Sequence, residues 1–362
     1  MWEKTSLPAK DELEVSIIGP GFGEAILVHL GNGAWASIDS CVDSEGECVS
    51  LAYLKALGAN PDQLRFVIAT HWHEDHIRGM PQLINWSSNP QFWCPTVFAA
   101  DDFLDFASAN AEDDISPLGA ASSELGKIFD VLLDRKITPN LAHQDTVILS
   151  QHALQIFALS PLQARVIQFL KVIAGLIPTL KQPRRRVADL HPNLVSLVLR
   201  FVVGSNCIVL GADLQETPFN GWTDLLNNSQ CIEGPRASLF KVPHHGSHNA
   251  HLDRQWTDLL IANPHVALTP YNRGSRKLPH ATDVARILKL SNNSFSTARA
   301  TSTAPNRFDT AVVRSLKEGN IVMHSSDTKL GHVQFRKLIN DPTKPWRTTL
   351  FGNAVRLHNI GV

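Results

Sequence analysis

Paired cysteines are what this chain most plainly lacks. Its five cysteines (Cys41, Cys48, Cys94, Cys207 and Cys231) are odd in number and include no Cys-x-x-Cys pair. That argues against a disulfide framework and fits a reducing compartment. Net charge is almost absent, at −1, so bulk electrostatics give no reason to expect nucleic acid or a membrane surface. Such a ligand would need a local patch. No apolar run is long enough for a bilayer; the most apolar stretch, residues 166–180, is short and interrupted. The start, Met1-Trp2-Glu3-Lys4, has no apolar core, so no signal peptide is expected and the cytoplasm is the expected location. Internal repeats, linkers and low-complexity segments are missing as well. With 362 residues, 43% hydrophobic and 19% charged, one soluble α/β domain over residues 1–362 is the simplest reading.

What is present centres on Thr70-His71-Trp72-His73-Glu74-Asp75-His76. The preceding Arg65-Phe66-Val67-Ile68-Ala69 is apolar and β-branched and reads as a buried strand. Residues 77–84 read as the start of a helix. Three histidines and an aspartate thus crowd a strand-to-helix turn, and imidazole with carboxylate is the donor set that borderline divalent metals prefer. In extended chain His71 and His73 point to one side and can share an ion. Asp75 and His76 follow where the chain turns and can reach a second ion.

Two further strands end in the same chemistry. Cys207-Ile208-Val209-Leu210 leads into Gly211-Ala212-Asp213, and residues 237–242 lead into Pro243-His244-His245-Gly246-Ser247-His248. Ligand-type residues at the C-terminal ends of three strands match where open α/β sheets place their sites. Gly19-Pro20-Gly21-Phe22-Gly23-Glu24 joins two strands, so it reads as a hairpin turn and not as a phosphate-binding loop, which would open a helix. Residues 35–38 form another strand, ending in Asp39. Residues 49–57 form a helix closed by Gly58, and residues 98–133 and 162–180 are expected to be mostly helical. Residues 251–262 also read as helix and 265–268 as strand. Short strands from Thr310 onward are expected to complete a second sheet. The run Arg184-Arg185-Arg186 reads as a solvated helix end.

His-x-His-x-Asp-His, the Gly-rich turn, Asp39, Asn193-x-x-Ser196, Gly211-Ala212-Asp213 and Pro243-His244-His245-Gly246-Ser247 occur in that order. Together they resemble the metallo-β-lactamase fold superfamily over about residues 13–290. The pattern is most similar to the metallo-hydrolase domain of competence DNA-uptake channel proteins and their soluble relatives in bacterial anti-phage and conflict systems. The resemblance implies an α/β fold, an αββα four-layer sandwich with helical insertions at about 100–135 and 162–190. It implies two divalent ions, zinc ahead of manganese, held by His71, His73, Asp75, His76, Asp213 and His244, with Asp213 bridging. Asp39, Glu24 and Asn193 would support these ligands through hydrogen bonds. His245 would be a ligand or proton donor, since only one of His244 and His245 can point straight in from a strand end, and the sequence does not rank them. His280 would approach the leaving group or cap a helix.

One departure from the superfamily pattern stands out. Where many members have a Pro-Gly-His-Thr turn, this chain has Ser160-Pro161. That leaves the first metal short of a ligand, to be completed by water or by a group such as Asn193. Divalent ions lower the pKa of a bound water toward about 7. The expected activity is therefore phosphodiester hydrolysis, of nucleic acid or nucleotide, with Asp75 and His245 or His280 in catalytic roles. Partner proteins of a defence operon, and no membrane, complete the expectation. The rival readings are hydrolysis of another ester, thioester or lactam, and a metal-binding sensor without catalysis.

Overall fold

Strand β1 (Glu12–Gly19) is buried along almost its whole length, because both of its faces are covered. Leu13, Val15 and Ile17 face an apolar layer shared by two sheets, while Glu14, Ser16 and Ile18 face the other way. In the computed structural model, which describes residues 1–2, 5–110, 117–174, 192–217, 221–273, 277–299 and 330–359, the same arrangement repeats across two eight-stranded sheets. β1 pairs with β2 (Ala25–His29), followed by β3 (Trp35–Ile38), β4 (Leu64–Ile68), β5 (Gln91–Pro95) and β6 (Asn140–Ala142). The chain then crosses to the second sheet through β7 (Thr146–Gln151), β8 (Leu154–Ala158), β9 (Leu199–Val203), β10 (Asn206–Leu210), β11 (Ala237–Lys241), β12 (Leu260–Leu268) and β13 (Ser294–Ser296). It returns through β14 (Gly331–Leu338) and β15 (Arg347–Gly352) to the free edge of β1, and β16 (Val355–Arg356) closes beside β13.

Helices cover both outer faces. α1 (Val49–Leu57), α2 (Glu74–Ile77), α3 (Met80–Trp86), α4 (Asp101–Asn110), α5 (Pro117–Asp134) and α6 (Gln163–Ala174) lie on the side of the first sheet. α7 (Trp222–Asn228) and α8 (Ala281–Leu290) cover the second. The result is an αββα sandwich of mixed sheets, as the family resemblance implied. Among the described residues no helix is long and apolar enough to cross a membrane, and the five cysteines are free.

Several elements differ from the sequence expectation. β14 and β15 extend the first sheet, and only β16 joins the second. Cross-strand chemistry explains this: β1 carries Glu14 and Ser16 on its outer face, and β14 sets Arg336 and Gln334 directly opposite them. Arg336 Nε donates to Glu14 Oε2 at 2.6 Å, and Tyr53 and Ser16 hydroxyls donate to Oε1 at 2.8 and 2.6 Å. The helix after the His-rich loop breaks into α2 and α3 at Gly79, which has φ +80° and where a Cβ would lie 2.6 Å from Val42 Cγ1. Residues 193–201 read from sequence as one strand, but Asn193 sits on a short 3-10 turn, Pro192–Val195, and β9 begins only at Leu199. Residues 251–262 hold one turn of helix, Gln255–Leu259, before β12 begins at Leu260. The part of the expected tail strands from Thr310 to residue 329, and the basic run 184–186, lie outside the described residues.

Candidate metal centre

Parallel strands β3, β4 and β5 run side by side, as do β10, β11 and β12. Their C-terminal loops therefore open on one end of the sandwich. β4 delivers His71 to His76, β3 delivers Asp39, β10 delivers Asp213, and β11 delivers His244 and His245.

Asp39 organises the first of these loops. It sits at φ +57° and is fully buried. Its Oδ1 accepts the Thr70 N–H at 2.7 Å, and its Oδ2 accepts the Thr70 hydroxyl at 2.7 Å and His76 Nδ1–H at 2.8 Å. Because the Thr70 hydroxyl donates to Asp39, it can only accept from His71 Nδ1, 3.0 Å away. His245 Nδ1–H donates to the carbonyl oxygen of Thr269 at 2.9 Å. Three imidazoles are thus anchored through Nδ1, which in each neutral ring leaves Nε2 as a lone-pair donor.

Those free nitrogens converge. His71 Nε2 lies 3.1 Å from His73 Nδ1. His76 Nε2 lies 3.7 Å from Asp75 Oδ2 and 3.6 Å from Asp213 Oδ2. His245 Nε2 lies 3.4 Å from Asp75 Oδ2 and 3.5 Å from Asp213 Oδ2. Besides Asp39 with His71 and His76, where the carboxylate is already taken by Thr70 and His76 Nδ1, two groups of potential ligands remain, His71 with His73 and Asp213, and Asp75 with His76 and His245, each with donor atoms within 4.8 Å of one another. Asp213 belongs to the first, and its Oδ2 faces His76 and His245 of the second.

The electrostatics call for cations. Burial alone would lower His76 and His245, but Asp213, Asp75 and, for His76, Asp39 outweigh it. His76 rises well above the usual imidazole range and His245 rises to about 9. Burial would raise Asp75 and Asp213, yet the neighbouring histidines pull both below the usual carboxylate range. His71 and His73, where burial prevails, are held neutral, His73 at about 4. His76 Nε2 and Asp213 Oδ1 are buried and have no hydrogen-bond partner. Orphaned buried donors, fixed tautomers and a mixed imidazole and carboxylate set fit divalent metal ions.

Of the residues singled out from sequence, His71, His73, Asp75, His76, Asp213 and His245 come together. His244, at φ +46° and half-buried, turns its Nδ1 to Asn249 Oδ1 at 2.8 Å, with Gln215 Nε2 at 3.2 Å, and belongs to neither group. His280 is exposed at the N-cap of α8, where its N–H donates to Asp283 Oδ2 at 3.0 Å. Glu24 is buried, and its N–H donates to the Asp75 carbonyl at 2.9 Å. Asn193 is buried with Oδ1 unpartnered. Sequence reasoning missed Thr70, Thr269 and Lys241. Lys241 could have been found, because a lysine closing the strand Ala237-Ser238-Leu239-Phe240 two residues before Pro243-His244 is out of place in an apolar run.

Replacing Asp39 with Ala should weaken metal binding by about 10–100-fold, the usual cost of losing a partner that orients ligands. Competition against a chromophoric chelator measures it, and unchanged affinity would remove the organising role assigned to Asp39.

The two-sheet sandwich, with histidines and aspartates gathered at the ends of its parallel strands, has the architecture of the metallo-β-lactamase fold. Residues 18–150 match the family profile described as the metallo-β-lactamase superfamily. Among solved structures, the chain is similar to the metallo-β-lactamase fold protein YhfI from Bacillus subtilis, at 16% identity and a TM-score of 0.34, covering 64% of this chain and 70% of that one. It is also similar to a metallo-β-lactamase with a HARLDQ motif from Cronobacter sakazakii, at 13% identity and a TM-score of 0.33, covering 62% and 73%. No curated protein sequence matches the chain.

Proposed function

We propose that this protein is a metal-dependent hydrolase of phosphodiesters, a phosphodiesterase or nuclease that uses two divalent ions, zinc ahead of manganese. The observation that carries the reading is the pair of ligand groups meeting at Asp213, a member of one whose Oδ2 faces two imidazoles of the other. When bound, such ions acidify water and offset the negative charge that develops on phosphoryl oxygens. The chain's own residues do the rest. Asp39 and Thr70 hold His71 and His76 in their donor tautomers, and Thr269 does so for His245. Asp75 and Asp213 supply the negative charge that keeps cations in place.

His245, inside the ligand group, is assigned as a ligand. His244 then becomes the proton carrier. With Nδ1 anchored on Asn249, it offers Nε2 to protonate the departing alkoxide. The exposed N-cap position of His280 gives it no part in this step.

Phosphodiester chemistry is favoured over a lactam by the rim. Phe22 and Tyr271 meet edge to face at 5.4 Å, and Tyr271 is 5.4 Å from the His245 ring. The exposed Arg273 lies with Cζ 4.5 Å from the Phe22 ring. Arg273 also pairs with Glu74, Nη1 to Oε2 at 2.6 Å, which fixes it against the ring, and an aromatic wall of this kind suits a stacked base. Action in the cytoplasm alongside partner proteins of a bacterial defence system, as in the competence-type relatives, belongs to the same proposal.

The test is a panel of bis(p-nitrophenyl) phosphate, linear DNA, RNA, cyclic nucleotides, a thioester and a chromogenic lactam, run with zinc and then with manganese. Turnover of a phosphodiester, lost on chelation and restored by added metal, is the expected result. Turnover of the lactam or thioester alone would replace the proposal with the acyl-hydrolase reading. Bound metal with no turnover of any substrate would favour a sensor.

A further inference from the structure

Lys241 is fully buried at the end of β11. It shares a strand face with Leu239, which belongs to the apolar layer between the sheets, and its register partner is Leu210 of the same layer. Packing at such a position asks for a hydrophobe, and a buried ammonium persists only when paired. Its Nζ lies 2.7 Å from Glu24 Oε2, which accounts for one contact. The other two both fall on the turn that carries Asp213: Nζ donates to the Ala212 carbonyl at 3.1 Å and lies 3.9 Å from Asp213 Oδ1. Ala212 is itself at φ +44°, and its carbonyl also accepts the His244 N–H at 3.0 Å.

We propose that Lys241 is a positioning residue that holds Asp213 Oδ1 away from the metal centre, so that Asp213 presents Oδ2 alone to both ligand groups. The two oxygens of this carboxylate face different things. Oδ2 is shared between His76 and His245 at 3.6 and 3.5 Å. Oδ1 has no hydrogen-bond partner, and the ammonium is its one ion-pair neighbour among the described residues. Without that charge, Oδ1 is a buried anionic oxygen free to rotate toward the cations. This inference rests on the reading of Asp213 as a ligand between two ions.

The test is metal titration against a chromophoric chelator in four proteins: wild type, Lys241→Met, Glu24→Gln and the double variant, with circular dichroism of each metal-free form. Lys241→Met alone strands the Glu24 charge, so the double variant is the informative one. It removes the buried pair together and keeps the volume. Positioning predicts that the folded double variant binds zinc about 10–100-fold more weakly than Glu24→Gln alone, which keeps the ammonium beside Asp213. If Lys241 only neutralises Glu24, the double variant binds like Glu24→Gln, and that result overturns the proposal. Should the double variant not fold, Lys241→Met is compared with Glu24→Gln in the same way: binding weaker by about tenfold or more supports the proposal, and equal binding overturns it. A wild-type protein that binds no metal would instead defeat the hydrolase reading itself.

Discussion

Asp213→Ala is expected to lower kcat/KM for bis(p-nitrophenyl) phosphate by about 10³-fold or more, roughly 4 kcal/mol of lost transition-state stabilisation. The size follows from position. Asp213 is grouped with His71 and His73, and its Oδ2 lies within 3.6 Å of His76 and His245 of the other group, so its removal opens both at once. Asp75→Ala should cost a similar factor, because its carboxylate faces the same two imidazoles at 3.7 and 3.4 Å. Neither change removes apolar core, so circular dichroism should remain that of the wild type. The two losses should not add, since residues that act as one unit lose most of their effect with the first deletion. Steady-state kinetics of the two single variants and the double, with metal content measured in each, checks this. Full turnover by both single variants would end the proposed mechanism.

The second large effect concerns stability, far from the metal centre. Arg336→Met should destabilise the fold by about 3–5 kcal/mol at neutral pH, because it leaves Glu14 buried and unpaired. Glu14 is fully buried, and burial pushes its carboxyl above the usual range, against the pull of Arg336 and of the Ser16 and Tyr53 hydroxyls. Removing the guanidinium takes away the largest opposing pull. A carboxyl raised in the folded state binds its proton before the unfolded chain does. Stability in the variant should therefore fall as pH rises from the unfolded value of about 4.3 through the folded one. The gap between wild type and variant should thus be narrow near pH 5 and wide near pH 8. Denaturant midpoints across that range provide the measurement. A gap that is constant with pH would mean Glu14 is not the source of the loss.

Much of the site was readable because ligand chemistry is local in sequence. Thr70 to His76 occupies one loop, and Asp213 and His245 each follow a short apolar strand. Periodicity marked single strands, and the sandwich followed only from the family resemblance that those motifs carry. The adjacent pair His244-His245 was not readable. Which imidazole enters depends on both residues adopting positive φ, at 46° and 54°, a backbone state that neither side chain announces. The sheet to which β14 belongs was equally hidden, because it depends on Arg336 and Gln334 matching Glu14 and Ser16 more than 300 positions away. Lys241 escaped notice because its partner Glu24 comes from the other sheet.

Trp72 stands between two of the ligands. His71 and His73 turn toward the metal centre, so the same alternation sends Trp72 the opposite way, fully buried and 4.7, 5.5 and 5.8 Å from the rings of Phe103, Phe169 and Phe98. Phe103 lies on α4 and Phe169 on α6. One indole therefore joins the loop of candidate ligands to the outermost layer by direct packing. A molecule that displaced those two helices would press on the loop that carries His71 and His73. Loading the centre with cations should in turn be felt as a stiffening on the far surface of the sandwich.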